Sequence, residues 1–470
     1  MTPLIAMIDV GKSNAKLSFV DAGSGVTIWM VKRANEVVHA SDLRQLDIVA
    51  IERWLLDSLK SAPHKERVSV IVPIAHGAAA VLIDGNGEVL AAPDYECPVY
   101  GSVADDYEQQ RDAFERTFSP SLPLGLNLGR QFHFLERKRA ELFATAARAL
   151  LYPQYWAWRL CGLMASEVSS LGCHSDLWQP TKNSWSALAL RRGWVRLFPP
   201  LLFAGTILGT ITARVAKATG INPSCRVSCG LHDSNASYLQ YLLSCGRERP
   251  FCVISSGTWT VTMANGTDLM RLRAERDMLA NVDAFSSPVG TARFMGGREY
   301  DTIAQSAVVP DREALEGVLR QQSMALPSFA QGGPFHDAKG ALLRAGDLNG
   351  AERAALATLY VALMSDLSIE SLGAGGDIFL HGPLSSNPLF GSILAAWQPR
   401  SRVFVTVGSN GFGAAASFLG GFASRPVGMP PAAEPLELNS LEEYRRVWRE
   451  KLPEVRAGVV GGAGRAAIAK

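Results

Sequence analysis

The stretch LIAMIDVGKSNAKLSFVDAGSGVTIWMVK, residues 4–32, decides the fold of this chain. It alternates as strands do. An apolar run over residues 4–9 ends on Asp9, and Gly11-Lys12-Ser13-Asn14 makes a turn. A second run covers 15–20, Asp21-Ala22-Gly23-Ser24-Gly25 turns again, and a third run covers 26–32. Residues 43–59 then place apolar side chains at 43, 46, 48, 51, 54, 55 and 59, a helical stripe. Residues 68–72 read as a buried strand. Residues 78–83 and 88–91 flank Asp84-Gly85-Asn86-Gly87, a hairpin signal. Three meandering strands, a helix and another strand do not describe a Rossmann unit.

That order describes instead the ribonuclease-H-like half of an actin-type ATPase. The theme returns after Asp233: a run over 251–254, the turn Ser255-Ser256-Gly257-Thr258, and a run over 259–264. A helix over 352–372, a strand over 377–380, a turn, a helix, a strand over 402–407, a Gly-rich turn and a final helix continue an α/β domain. The expected fold class is therefore α/β, with two ribonuclease-H-like (actin/hexokinase-type ATPase) domains and an interdomain cleft. The N-terminal domain is placed at 1–246 and the C-terminal domain at 247–430. A joint containing Pro426, Pro430, Pro431 and Pro435 leads into a C-terminal helix and tail over 431–470. Residues 105–202 read as mostly helical and rich in tryptophan (156, 158, 178, 185, 194), either core packing or an apolar wall over a sugar face.

At 470 residues the chain is too long for one core, so two domains are expected. Its net charge of +2, without a block of five like charges, argues against nucleic acid or an anionic membrane as the main partner. The seven cysteines show no CxxC spacing and no nearby ligands for zinc, as expected of buried thiols in a reducing cytosol. Residues 4–8 lack the basic start and long apolar centre of a signal peptide, and the apolar stretch 150–165 is cut by Arg159. A soluble cytoplasmic protein is expected.

The chemistry centres on Gly230-Leu231-His232-Asp233-Ser234-Asn235-Ala236. One carboxylate follows a strand-like run (225–229) and precedes a small-residue helix (236–243). Asp233 in that corner suits a general base, although an N-cap aspartate would give the same string. Gly11-Lys12-Ser13 is not a Walker loop, because position 6 is Ala and a strand follows. A hairpin holding phosphate through the amides of Gly11, Lys12, Ser13 and Asn14, with Lys16 adding charge, remains open. So does an ordinary hairpin. Asp9 is a candidate to orient Mg²⁺ through water. Gly257 and Thr258 offer a second set of amides. Gly382, Ser385 and Asn387, with the open turn carrying Gly411, suit close approach of a flat nucleotide base. His76, Gly77, His232, Asp94, Asn127, Gln131 and His174 are candidates for substrate hydroxyls.

Taken in order, these motifs resemble the FGGY carbohydrate kinases of the actin/hexokinase/Hsp70 superfamily. Asp9-x-Gly11-x-Ser13-x-x-Lys16 resembles the family's first phosphate loop, and Ser256-Gly257-Thr258-Trp259 the second. His76-Gly77 resembles the sugar-side Gln-x-His-Gly, with Ile74 in place of its Gln. Tyr155, Arg159, Leu160 and Gly162 resemble the Tyr-x-x-x-Arg-Leu-x-Gly helix. Gly230-x-x-Asp233-x-x-Ala236 matches the segment bearing the base, residues 382–388 the nucleotide loop, and Gly413-Ala414-Ala415 the closing helix. The usual Lys and Trp are missing around residues 126–137, and the Trp and Arg near Asp94 are not evident. The resemblance implies ATP and Mg²⁺ as cofactors and a small sugar as substrate, with a homodimer left open. The Ser-Gly-Thr-Trp and His-Asp forms lean toward rhamnulose and fuculose kinases. L-Fuculose, L-rhamnulose or a pentulose are the implied acceptors. A polyol such as glycerol, or a catalytically weak sugar and nucleotide sensor, is the alternative.

Overall fold

The structure, a computed structural model, describes residues 2–39, 41–406, 412–422 and 429–456. The chain forms two units. The first comprises Met1–Gly246, Leu279–Val289 and Asn410–Gly428; the second comprises Arg247–Met278, Gly290–Ser409 and Met429–Lys470. The sequence reading had placed 279–289 and 410–428 in the C-terminal domain. The helix Gly413–Leu419 returns to the first unit because it packs on the helix Asp233–Cys245 and on the first two strands. There a Cβ on Gly413 would stand 1.8 Å from the carbonyl oxygen of Gly25, so only glycine fits.

In the first unit, β1 (Leu4–Val10), β2 (Asn14–Asp21) and β3 (Thr27–Ala34) form an antiparallel meander. The helix α1 (Ile48–Ser61) begins at Asp47, whose side chain accepts from the amide of Ala50, and not at residue 43. Residues 45–46 are spent on a short strand instead. β4 (Val68–Ala75) lies parallel to β1, burying the stripe of α1 and its own apolar face in one core. Beyond it come β5 (Ile207–Thr210) at the edge, β6 (Arg226–Ser228) and β7 (Leu231–His232), the last two parallel to β4. α2 (Asp233–Cys245) follows β7 directly.

The second unit repeats this plan. β8 (Phe251–Ser256), β9 (Thr260–Ala264) and β10 (Pro288–Phe294) are an antiparallel meander. α3 (Gly296–Ala304) follows it, and later α4 (Gly350–Leu372). β11 (Asp377–His381) lies parallel to β8, and β12 (Val403–Val405) parallel to β11. The orders β3-β2-β1-β4-β6 and β10-β9-β8-β11-β12 are identical in sequence and sense. The protein is α/β, with two ribonuclease-H-like domains. Among the described residues only α4 is long and apolar enough to cross a membrane, and it is mostly buried inside the protein.

Candidate active site

Three neighbouring parallel strands end together in the first unit. Asp9 pairs with Ile74, and Ile74 with Leu231; Val10 pairs with Ala75, and Ala75 with His232. Asp9, His76 and Asp233 therefore stand at adjacent carboxyl ends of β1, β4 and β7, the place where open α/β sheets bind ligands. The register depends on Gly230. This residue has φ +79°, and a Cβ on it would lie 2.1 Å from the carbonyl oxygen of Pro73. It lets the chain step from β6, which pairs with residues 70 and 71, to β7, which pairs with 74 and 75.

Asp233 opens α2 with its side chain 32% exposed. Its Oδ1 accepts from the amide of Ser234 at 2.6 Å and from the Ser234 hydroxyl at 3.3 Å, and His232 Nε2 lies 3.1 Å away. Among the described residues nothing hydrogen-bonds Oδ2. Burial raises the Asp233 pKa above the ordinary aspartate value, opposed by His76, by the Ser234 hydrogen bonds and by Lys16. Asp9 is raised chiefly by burial. Lys16, with Nζ 3.3 Å from Asp9 Oδ2, opposes the shift and the charge of Asp233 adds to it. Burial pulls the His76 pKa down to about 4, so the ring is neutral at pH 7. Its Nδ1 bonds the carbonyl of Gly77 at 2.8 Å, which puts the ring proton on Nδ1 and leaves Nε2 an acceptor. Tyr95 and Tyr152 flank His76, with ring centroids 5.6 and 4.9 Å away. Sequence reasoning missed both tyrosines. Of the tryptophans read as core packing or a sugar wall, Trp156, Trp178 and Trp194 are core.

The other expected residues fall in different places. Lys12 is committed to Asp94, with Nζ 2.5 Å from Oδ1 and 5.2 Å above the Tyr95 ring. Asp94, 1% exposed, also faces Arg44 Nε at 3.4 Å, so its charge is neutralised twice. Gln131 ties the carbonyls of Ala78 and Gly125 together. Asn127 is saturated by Leu122, Ser119, Pro120 and the carbonyl of His174, and His174 Nδ1 bonds the carbonyl of Leu126. In the hairpin, the Gly11 amide closes onto the carbonyl of Asn14 at 2.9 Å, whereas the amides of Lys12 and Ser13 find no acceptor among the described residues. Gly77 is held to glycine by His232, whose Nε2 would be 2.9 Å from a Cβ there.

No group of three or more His, Cys, Asp or Glu among the described residues is arranged as a metal cage. A Mg²⁺ ion needs none, since it keeps several waters and takes one or two carboxylates plus substrate phosphates. Asp9 and Asp233, close enough for one charge to shift the other's titration, fit that requirement.

In the second unit, the turn after β8 leaves the amides of Gly257 and Thr258 without acceptors among the described residues, with Thr258 exposed. The start of α3 packs on this turn: a Cβ on Gly297 would lie 2.2 Å from the carbonyl oxygen of Gly257. Ser256 Oγ donates to the carbonyl of His381 and accepts from the amide of Leu384, joining the ends of β8 and β11. Gly382, at φ +94°, would put a Cβ 1.9 Å from the carbonyl oxygen of Ser256. Ser385 and Asn387 turn inward. Ser385 Oγ lies 2.6 Å from the carbonyl of Gly382 and 2.7 Å from that of Thr406, while Asn387 caps the next helix and donates to Thr358 Oγ1. Arg293, absent from the sequence reading, stacks 4.6 Å over Trp259 and bonds Asp277. Gly411 lies outside the described residues.

The doubled sheet order, with carboxylates at the strand ends of one unit and open amides in the turn of the other, defines an actin/hexokinase-type ATPase fold. Residues 248–426 match the family described as carbohydrate kinase FGGY, C-terminal domain. The solved structure of a carbohydrate kinase from Novosphingobium aromaticivorans superposes with a TM-score of 0.86 at 34% identity, over 97% of this chain and 99% of that one. The chain belongs to the FGGY carbohydrate kinase family. It is also 24% identical over 285 residues to a rhamnulokinase of Bacteroides thetaiotaomicron, covering 58% of this chain and 56% of the relative. It is 25% identical over 275 residues to an L-fuculokinase of Salmonella typhi, covering 55% of this chain and 56% of the relative. The matches thus span little more than half the length of these curated relatives.

Proposed function

We propose that the protein transfers the γ-phosphoryl group of ATP to a hydroxyl of a small sugar, a ketose such as L-fuculose, L-rhamnulose or a pentulose. The observation that carries this reading is the partly exposed Asp233 carboxylate: Oδ1 is engaged, Oδ2 has no partner among the described residues, and Lys16 acts on it electrostatically as it does on Asp9. In the proposed reaction Oδ2 accepts the proton of the sugar hydroxyl, and that oxygen attacks the γ-phosphorus as the bond to ADP breaks. The open amides of Lys12 and Ser13, and those of Gly257 and Thr258, receive charge on the phosphoryl oxygens. Catalysis of this kind rests mostly on positioning and electrostatics. Asp9, and Asp233 through water, would hold Mg²⁺, which neutralises phosphate charge when bound. Neutral His76, with an acceptor Nε2 between two tyrosines, suits a sugar hydroxyl donor.

The inward-facing side chains of Ser385 and Asn387 favour a nucleotide loop that works through its backbone, with Gly382 permitting close approach. The names of the two curated relatives favour a deoxyketose over glycerol, and seven free cysteines suit a cytoplasmic enzyme. A thermal-shift panel of ketoses and polyols, run with a non-hydrolysable ATP analogue, tests the reading. A ligand present at 100 times its Kd adds about 2.7 kcal/mol to folding stability. At least one ketose is expected to raise Tm clearly, and glycerol to raise it less. A flat response across the ketoses speaks against a sugar site.

A further inference from the structure

Asp233 has a buried neighbour with no role in the reaction above. His232 is 5% exposed and fixed from several sides. Its backbone amide donates to Ser169 Oγ at 3.1 Å, and that hydroxyl donates to Oε2 of the fully buried Glu167. Asn235 Nδ2 stands 3.2 Å from His232 Nδ1. The opposite nitrogen, Nε2, faces Asp233 Oδ1 at 3.1 Å, with Cys173 Sγ 3.6 Å away and Gly77 leaving room for the ring.

A neutral imidazole carries one ring proton, on Nδ1 or on Nε2. The neighbours say where it sits. Asp233 Oδ1 already accepts from the amide of Ser234, and a bare Nε2 would set two lone pairs 3.1 Å apart. On the other side Asn235 brings an N–H to Nδ1. Both contacts fit the Nε2–H tautomer. Oδ1 then receives donors from two directions, the start of α2 and the imidazole. Turning the carboxylate out of this orientation breaks both bonds.

We infer that His232, set in its Nε2–H form by Asn235, is a positioning residue that pins Asp233 Oδ1 and thereby leaves Oδ2 as the oxygen that receives the substrate proton. The inference rests on the base role given to Asp233 above. Because the hydrogen bond orients the base without touching substrate, its loss belongs in kcat and not in the KM for the sugar.

The test has two arms on the full-length chain. In the first, histidine-¹⁵N-labelled protein is studied at neutral pH by long-range ¹H–¹⁵N correlation, the His232 signal being assigned by its loss in His232→Gln. A protonated Nε2 and a bare Nδ1 are expected. An Nδ1–H tautomer or a doubly protonated ring overturns the inference, whether or not any sugar is turned over. In the second arm, kcat and KM are measured with a ketose that stabilises the wild type. His232→Leu is expected to lower kcat about 10–100-fold, the range for one hydrogen bond to a charged group, with KM unchanged. His232→Gln, which keeps an N–H donor, is expected to recover most of the loss. Equal losses in both variants at matched Tm, or a loss confined to KM, would contradict it. The expected tautomer combined with an Asp233→Asn enzyme of normal turnover would show that the base role, not the ring geometry, had failed.

Discussion

Asp233→Asn is expected to lower sugar-dependent ATP turnover by roughly 10²–10⁴-fold, the usual worth of a general base. The amide keeps the size of the carboxylate and can still accept from the Ser234 amide, so α2 should start where it does now. What disappears is an anionic oxygen able to take a proton. Binding of the ATP analogue should change little, because the proposed amide donors of the Lys12–Ser13 and Gly257–Thr258 turns are untouched. A coupled ADP-release assay with the best ketose measures the first effect and nucleotide titration the second. Near-normal turnover in the variant would remove Asp233 from the role. Loss of nucleotide affinity in step with turnover would make direct metal or phosphate contact, and not proton transfer, its main role.

Gly230→Ala is expected to cost about 4 kcal/mol or more of folding stability, because two penalties coincide. The residue sits at φ +79°, and the new methyl would meet the carbonyl oxygen of Pro73 at 2.1 Å, backbone that cannot rotate away. Gly193→Ala supplies the comparison. It has φ +65° but open space around the site, so only the left-handed conformation is penalised, about 1–2 kcal/mol. Denaturant unfolding of both variants separates conformational strain from the overlap. Equal losses would mean that β4 moves aside, and the step between β6 and β7 would then not be what fixes the place of Asp233.

The parts of this protein written in local pattern could be read before the structure. Alternation over residues 4–32 and the recurrence over 251–264 correspond to the two meanders, because a strand's faces and a turn's glycine are nearest-neighbour matters. Long-range placement was not legible. Nothing local distinguishes residues 279–289 and 410–428 as members of the first unit. Nothing local shows that the Lys12 side chain is held by Asp94, 82 residues away. Ser385 and Asn387 look like ligand contacts because capping and recognition use the same residue types. Tyr95 and Tyr152 carried no motif, and only the folded chain shows them against His76. His232 reads as a candidate for a substrate hydroxyl, whereas its tautomer depends on Asn235, one helical turn further on.

The most direct measurement follows the phosphoryl group itself. ATP labelled at the γ-phosphate is incubated with the wild-type protein, Mg²⁺ and each ketose in turn, and the labelled products are separated. The expected result is label in a sugar phosphate for at least one ketose and its near absence with Asp233→Asn. Label appearing solely as inorganic phosphate, at a rate indifferent to every sugar, would contradict the assignment of this chain as a sugar phosphotransferase.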